Sequence, residues 1–167
     1  MTLLEEVRKL LGSAVIDTHE HRGDATVLVE REAVHAALQA LRDDPLLRFN
    51  LLIDLTAVDY LGREPRFEVV YHLASLDVEP GSSKFAPLRG RVRVKAGVPE
   101  SDCRIASCVD LWAAANWMER EVWDLYGIAF DGHPELRRIL LYEGFQGHPL
   151  RKDYPKERRQ PLVGPRN

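Results

Sequence analysis

The side chains best able to do chemistry gather in one stretch, Glu119-Arg120-Glu121-Val122-Trp123-Asp124-Leu125-Tyr126-Gly127. Paired carboxylates can work as general acid and base, and Glu121 and Asp124 stand three apart on a flank that reads as exposed. No Ser, Cys or His adjoins them to act as nucleophile. Arg120 and Asp124, four apart, predict a helical ion pair worth about 0.3–0.5 kcal/mol. Trp117 and Trp123 border the same face, and tryptophan beside arginine is a common anchor of protein interfaces. The pattern therefore predicts a docking helix rather than a catalytic one, with Glu119, Arg120, Glu121, Asp124 and Tyr126 at its interface.

Two further groups carry polar chemistry. Gly132-His133-Pro134-Glu135-Leu136-Arg137-Arg138 returns in shorter form as Gly147-His148-Pro149-Leu150-Arg151-Lys152. Glycine permits each turn, proline fixes the backbone leaving it, and each turn ends in a pair of cations. The expectation is two rigid turns offering Arg137/Arg138 and Arg151/Lys152, with His133 and His148, to a partner. Metal ligation by Cys103, Cys108, His133 and His148 is the alternative, but Cys-x4-Cys with His-x14-His fits no common ligand spacing. A hydrolase built on Glu121 and His133 is a second. Separately, Arg89, Arg91, Arg93 and Lys95 alternate along one segment, placing cations about 6.6 Å apart on one strand face. That stripe reads as a solvated face, as a charged edge strand that resists aggregation, or as a docking surface for phosphates or acidic side chains. Nucleic acid is disfavoured, because no aromatics interleave the cations. The chain has no GxGxxG, P-loop, GxSxG or HExxH sequence and no cysteine set for an iron–sulfur cluster.

These groups need elements to hold them. Leu3, Val7, Leu10 and Leu11 share a helical face, closed by Gly12. Ala25 to Val29 reads as a strand, Arg31 to Arg42 as an amphipathic helix, and Phe49 to Val58 as a buried strand. Alternation from Phe67 and again from Leu88 predicts a half-buried, mostly antiparallel or mixed sheet, with Asp77 to Pro87 as the hairpin end between them. Leu111, Ala115, Met118, Val122 and Leu125 recur at helical steps, so the docking helix is expected over 109–127. A short helix is expected around Glu135 to Leu141. Helices before and after the strands predict an α+β two-layer domain over 1–148. Pro149, Pro155, Pro161 and Pro165 leave 149–167 as an extended basic tail that orders only on a partner.

Composition bounds the function. The 167 residues are 45% hydrophobic with a formal net charge of -3, enough to bury about 70% of the unfolded surface in one domain. Two cysteines suit a reducing compartment. The longest apolar run, Leu111 to Ala115, falls far short of the roughly 20 residues a membrane helix needs, and the first residues lack the pattern of a signal or transit peptide. Charge is uneven: residues 1–60 carry net -5, 61–136 net -3 and 137–167 net +5. A basic end on an acidic body points to a contact made by that end.

The segment from Trp117 to Ile128, followed by Phe130-x-Gly132-His133-Pro134-x-Leu136-Arg137-Arg138-Ile139-Leu140, closely resembles the signature of one family of respiratory complex I. That family is the 30 kDa subunit, or C subunit, of proton-pumping NADH:quinone oxidoreductase. Gly147 to Pro155, Asp54 to Tyr60, Phe67 to Tyr71 and Val109 to Trp112 also resemble stretches of it. The resemblance implies a peripheral-arm subunit without a redox centre or cofactor of its own, packed on the D-subunit homologue that shapes the quinone pocket. FMN and iron–sulfur clusters would then belong to partner subunits, and NADH and quinone would bind elsewhere in the complex. It would lie on the cytoplasmic side of a bacterial cell membrane, touching the membrane only through neighbours. Related ferredoxin-fed quinone reductases and membrane-bound hydrogenases are the alternative setting, and a stand-alone binder of nucleic acid or acidic proteins is a distant one.

Overall fold

The computed structural model describes residues 2–77 and 88–157. The segment expected as a hairpin end, Asp77 to Pro87, lies outside them after its first residue, as does the end of the chain from 158 onward.

Helix α1 (Leu3–Leu11) opens with a reciprocal cap. Thr2 Oγ1 accepts from the Glu5 N–H at 3.2 Å, and Glu5 Oε2 accepts from the Thr2 N–H at 2.8 Å, which satisfies two of the helix's orphan donors. Strand β1 (Val15–His21) turns through Arg22 and Gly23, both at positive φ, into β2 (Asp24–Val29). Helix α2 (Val34–Asp43) follows, then the meander β3 (Leu51–Asp59), β4 (Phe67–Leu76) and β5 (Leu88–Val98). A short strand β6 (Arg104–Ala106), helix α3 (Ala115–Tyr126) and strand β7 (Ala129–Asp131) complete the regular elements described.

The five long strands form one mixed sheet in the order β1-β2-β5-β4-β3, antiparallel except for the β2–β5 pair. The predicted α+β two-layer architecture is what the chain adopts. Val27 and Val29, Val92 to Val98 at alternate positions, Phe67 to Leu73 likewise, and Leu52, Leu55 and Ala57 face inward. They meet Val7 and Leu11 of α1, Val34, Leu38 and Leu41 of α2, and Val122 of α3. Strand β1 escaped the sequence reading because it is an edge strand with mostly exposed side chains, so no buried face imposes alternation on it.

The basic stripe lies on β5, which is the central strand, so it is not a charged edge. Arg91 pairs with Asp24 at 2.9 Å, Lys95 with Glu68 at 2.7 Å, and Arg93 donates to Thr26 Oγ1 at 3.0 Å. These three cations are spent largely on their own sheet.

Gly97 on β5 lets the β3–β4 connection fold over the sheet. A Cβ there would stand 2.4 Å from Pro65 Cγ, well inside any tolerable contact. Gly97→Ala is expected to destabilise the chain by about 1–3 kcal/mol, the usual cost of overpacking. Urea denaturation against the parent chain checks this.

Candidate functional site

The docking helix begins at Ala115 rather than at Val109. Residues before it form a turn in which the N–H groups of Leu111 and Trp112 both donate to the Cys108 carbonyl, at 3.0 and 3.1 Å. Glu119 holds this turn. It is wholly buried and accepts from Ser107 Oγ at 2.6 Å and from the Cys108 N–H at 2.7 Å. Burial pushes its carboxyl above the ordinary range, against the opposing pull of those two donors. Glu119 therefore binds its own chain and is not on an outer face.

Asp124 corrects the sequence reading more sharply. It is wholly buried, not exposed, and its ion-pair partner is Arg138 at 2.6 Å, not Arg120. Its Oδ2 accepts three successive backbone N–H groups, from Ile139, Leu140 and Leu141, at 3.1, 2.9 and 2.9 Å. That convergence is why the helix expected around Glu135 to Leu141 does not form: its amides are aimed at a carboxylate instead of along a helix axis. Burial alone would push the Asp124 carboxyl up, but the Leu141 amide, the Arg138 guanidinium and the neighbouring amides outweigh it and hold the carboxyl below its usual value.

The two Gly-His-Pro turns dock inward on α3. At the first, His133 Nδ1 accepts from the Glu135 N–H at 3.0 Å, which fixes the tautomer, so Nε2–H donates to the Asn116 carbonyl at 3.1 Å. Both ring nitrogens are thus engaged by backbone, which leaves His133 no free nitrogen for hydrolysis or a metal. At the second turn, His148 Nδ1 donates to the Asp124 carbonyl at 3.0 Å. Among the described residues no group of three or more His, Cys, Asp or Glu is placed to hold a metal ion.

The basic pairs split. Arg138 turns in, between the rings of Trp123 and Phe145, and donates to the Phe145 carbonyl at 2.9 Å. Arg137 stays exposed beside Glu135 at 3.1 Å. Arg151 turns in to the Tyr126 carbonyl, while Lys152 keeps its side chain exposed. Arg120 donates to the carbonyls of Arg137 and Arg138, each at 3.1 Å, and lies over Trp117.

These contacts finish the C-terminus of α3. Its last four carbonyls, which a helix leaves without partners, are taken by the Gly127 N–H at Trp123, by His148 at Asp124, by the Leu150 N–H at Leu125 and by Arg151 at Tyr126. A cation on the final carbonyl also suits the negative end of the helix dipole. Residues 149–153, expected as free tail, are therefore fastened to the chain's own body.

A buried guanidinium ties the same segment to the sheet. Arg66 is 3% exposed. It forks onto Asp59 at 3.0 and 2.8 Å, onto Asp153 at 3.0 and 2.7 Å, and onto Glu100 at 2.6 Å. Hydrogen bonding to Arg66 holds the carboxyls of Asp59 and Asp153 below their usual range. Asp59 also accepts the Lys152 N–H at 2.8 Å. No spacing signal marks this cluster, because Glu100 and Asp153 come from stretches far from the neighbouring Asp59 and Arg66.

What remains outward is compact in kind. Trp117 is 67% exposed and Leu140 60% exposed, with Glu121, Arg137, Leu150 and Lys152 also open to solvent. Trp123 and Tyr126 are only half-open. Leu140 and Leu150 add apolar surface that the charge-based reading passed over. This is a surface of exposed apolar and charged side chains on a helix stapled to its own turns.

Known proteins resemble this chain. The family model described as "Respiratory-chain NADH dehydrogenase, 30 Kd subunit" matches residues 27–160. The NADH-quinone oxidoreductase C subunit of Citrifermentans bemidjiense is 47% identical over 161 residues, covering 95% of this chain and 92% of the relative. The protein of the same name from Roseiflexus is 49% identical over 154 residues, covering 92% and 83%. A solved trypsin-resistant fragment (1-134) of Nqo5 is 35% identical, with a TM-score of 0.65, covering 80% of this chain and 96% of the fragment. A chain of the membrane-bound sulfane sulfur reductase, an archaeal respiratory membrane complex, shares the fold with a TM-score of 0.72 at 20% identity, covering 93% and 85%. With the signature helix and its two turns inside the matched residues, the chain belongs to the 30 kDa subunit family of the respiratory-chain NADH dehydrogenase, the NADH-quinone oxidoreductase of complex I.

Proposed function

We propose that this chain is a non-catalytic peripheral-arm subunit of NADH:quinone oxidoreductase. It supports the quinone-site subunit, the D-subunit homologue, while electrons pass from NADH to quinone and protons are translocated. FMN and iron–sulfur clusters belong to its partners in this reading, and NADH and quinone bind elsewhere in the complex. Its place is peripheral, on the cytoplasmic side of the membrane. Among the described residues no helix is long and apolar enough to cross a membrane.

The observation that carries the reading is the division of α3 and its turns. Glu119, Asp124, His133, Arg138, His148 and Arg151 are committed to internal bonds, while Trp117, Leu140 and Arg137 stand open. Polar groups engaged in capping and bracing suit a scaffold better than acid–base work, and an exposed tryptophan beside arginine suits an anchor.

Trp117→Glu tests the proposal. Tryptophan anchors carry about 2 kcal/mol or more, so the amount of quinone-site subunit recovered with the tagged chain from membranes is expected to fall at least tenfold, and NADH–quinone activity with it. The isolated variant should keep its unfolding midpoint, since Trp117 is mostly in solvent. Undiminished recovery and activity would remove Trp117 from the interface. Recovery of the unaltered chain with no partner and no activity would overturn the proposal itself.

A further inference from the structure

Arg66 is far too buried to touch a partner, yet its position invites a role in docking. A guanidinium has five N–H donors. Here the Nε donor goes to Asp59, the two on Nη1 to Glu100 and Asp153, and the two on Nη2 to Asp59 and Asp153. All five are used, on three carboxylates. Asp59 closes β3, Arg66 precedes β4 and Glu100 follows β5, so these three belong to one end of the sheet. Asp153 alone belongs to the segment running from the second Gly-His-Pro turn, and the Lys152 amide adds a second tie from that segment to Asp59.

The other half of the segment is bound to α3 by His148, the Leu150 amide and Arg151. Residues 147–153 therefore work as a strap with two fastenings, one at the helix end and one at the sheet end. Arg151 belongs to both: it caps Tyr126, and its guanidinium stands 5.0 Å from the Phe67 ring centroid, with Arg66 at 4.9 Å from the same centroid. The strap also carries Leu150 and Lys152, whose side chains are exposed, Leu150 next to the C-terminal end of α3 through its amide hydrogen bond to Leu125.

We propose that Arg66 is a positioning residue for partner docking: by holding Asp153 it latches the strap, and the latched strap sets Leu150, Lys152 and the end of α3 in the geometry a partner meets. The inference rests on the docking role proposed above. It adds that a side chain wholly outside the contact surface governs that contact, and that the sheet end, not the signature helix alone, controls it.

Asp153 is the variant of choice because its side chain is 49% exposed, while Arg66 keeps its buried partner Asp59 when Asp153 is changed. Asp153→Asn removes the charge that Arg66 holds; Asp153→Glu restores a carboxylate. Hydrogen–deuterium exchange on the full chain reads the strap directly. In Asp153→Asn the amides of 147–157 are expected to exchange at least tenfold faster, with β4 and β5 unchanged and the unfolding midpoint nearly so. Recovery of the quinone-site subunit from membranes should fall several-fold in Asp153→Asn and return in Asp153→Glu. Glu100→Gln, also half-exposed, should show a weaker version of the same pattern.

Unchanged exchange in Asp153→Asn would overturn the latch. Faster exchange with full partner recovery would overturn its role in docking. If Trp117→Glu leaves recovery intact while Asp153→Asn still frees the strap, the docking face proposed above is wrong but the latch stands, so the two failures are told apart.

Discussion

Asp124→Ala is expected to destabilise the chain by about 3–5 kcal/mol, the usual consequence of removing one member of a buried ion pair. The loss has two sources. Arg138, whose side chain is only 14% exposed, is left without its carboxylate. The part-buried amides of Ile139, Leu140 and Leu141 lose their shared acceptor, which adds to the cost. At this chain length the corresponding drop in unfolding midpoint is roughly 6–20 °C, measurable by thermal or urea denaturation. Asp124→Asn should recover part of the loss, because one oxygen can still accept the amides while the charge facing Arg138 is gone. The sign of the pH dependence follows from the depressed carboxyl. Its contribution is full above the ordinary aspartate value of about 3.9 and is lost as pH falls through the lower folded-state value.

Gly127→Ala carries the second large effect, and it separates two costs. Gly127 sits at φ 77°, where a side chain adds about 1–2 kcal/mol of strain. A Cβ there would also stand 2.6 Å from both Cδ2 and Nε2 of His148 and 2.9 Å from Arg151 Nη2. Those two side chains cap the Asp124 and Tyr126 carbonyls, so displacing them should bring the total to about 3–4 kcal/mol once two hydrogen bonds of about 1 kcal/mol each are lost. Gly132→Ala is the control. Gly132 has φ 88°, but nothing lies within 4 Å of its added Cβ, so that variant should lose only the strain. Comparing the two by urea denaturation isolates what the strap contributes.

Much of the architecture was legible in the pattern of residues. Inward alternation on β4 and β5 follows directly from side-chain periodicity, and α1 and α2 follow from their apolar faces and stops. The polar site was less so, for a physical reason. A carboxylate on a helix has the same letter whether it meets water or a guanidinium, and Asp124 finds Arg138 only through the fold. Glu100 and Asp153 reach Arg66 from 34 and 87 residues away, so no local spacing predicts them. Glu119 is different. It lies four residues past Ala115 and three before Val122, both buried, which puts it inside the apolar stripe where an acid needs an internal partner. That signal was present in the sequence and pointed away from an outward-facing role. The central place of β5 was hidden because the parallel return of β2 beside it depends on a connection that skips two strands.

The bond from the Lys152 amide to Asp59 spans 93 residues, and this bears on how the chain is made. Synthesis proceeds from the N-terminus, so the sheet and most of α3 are available before the strap exists. Until residues 148–153 leave the ribosome, the Leu125 and Tyr126 carbonyls of α3 lack their partners, the Asp124 carbonyl keeps only Arg138, and Arg66 has only two of its three carboxylates. The sheet can close early, but the end of the signature helix matures only once the strap has emerged. A nascent or prematurely ended chain would then have a sound core and an unfinished binding surface, so assembly would be confined to chains translated through the strap.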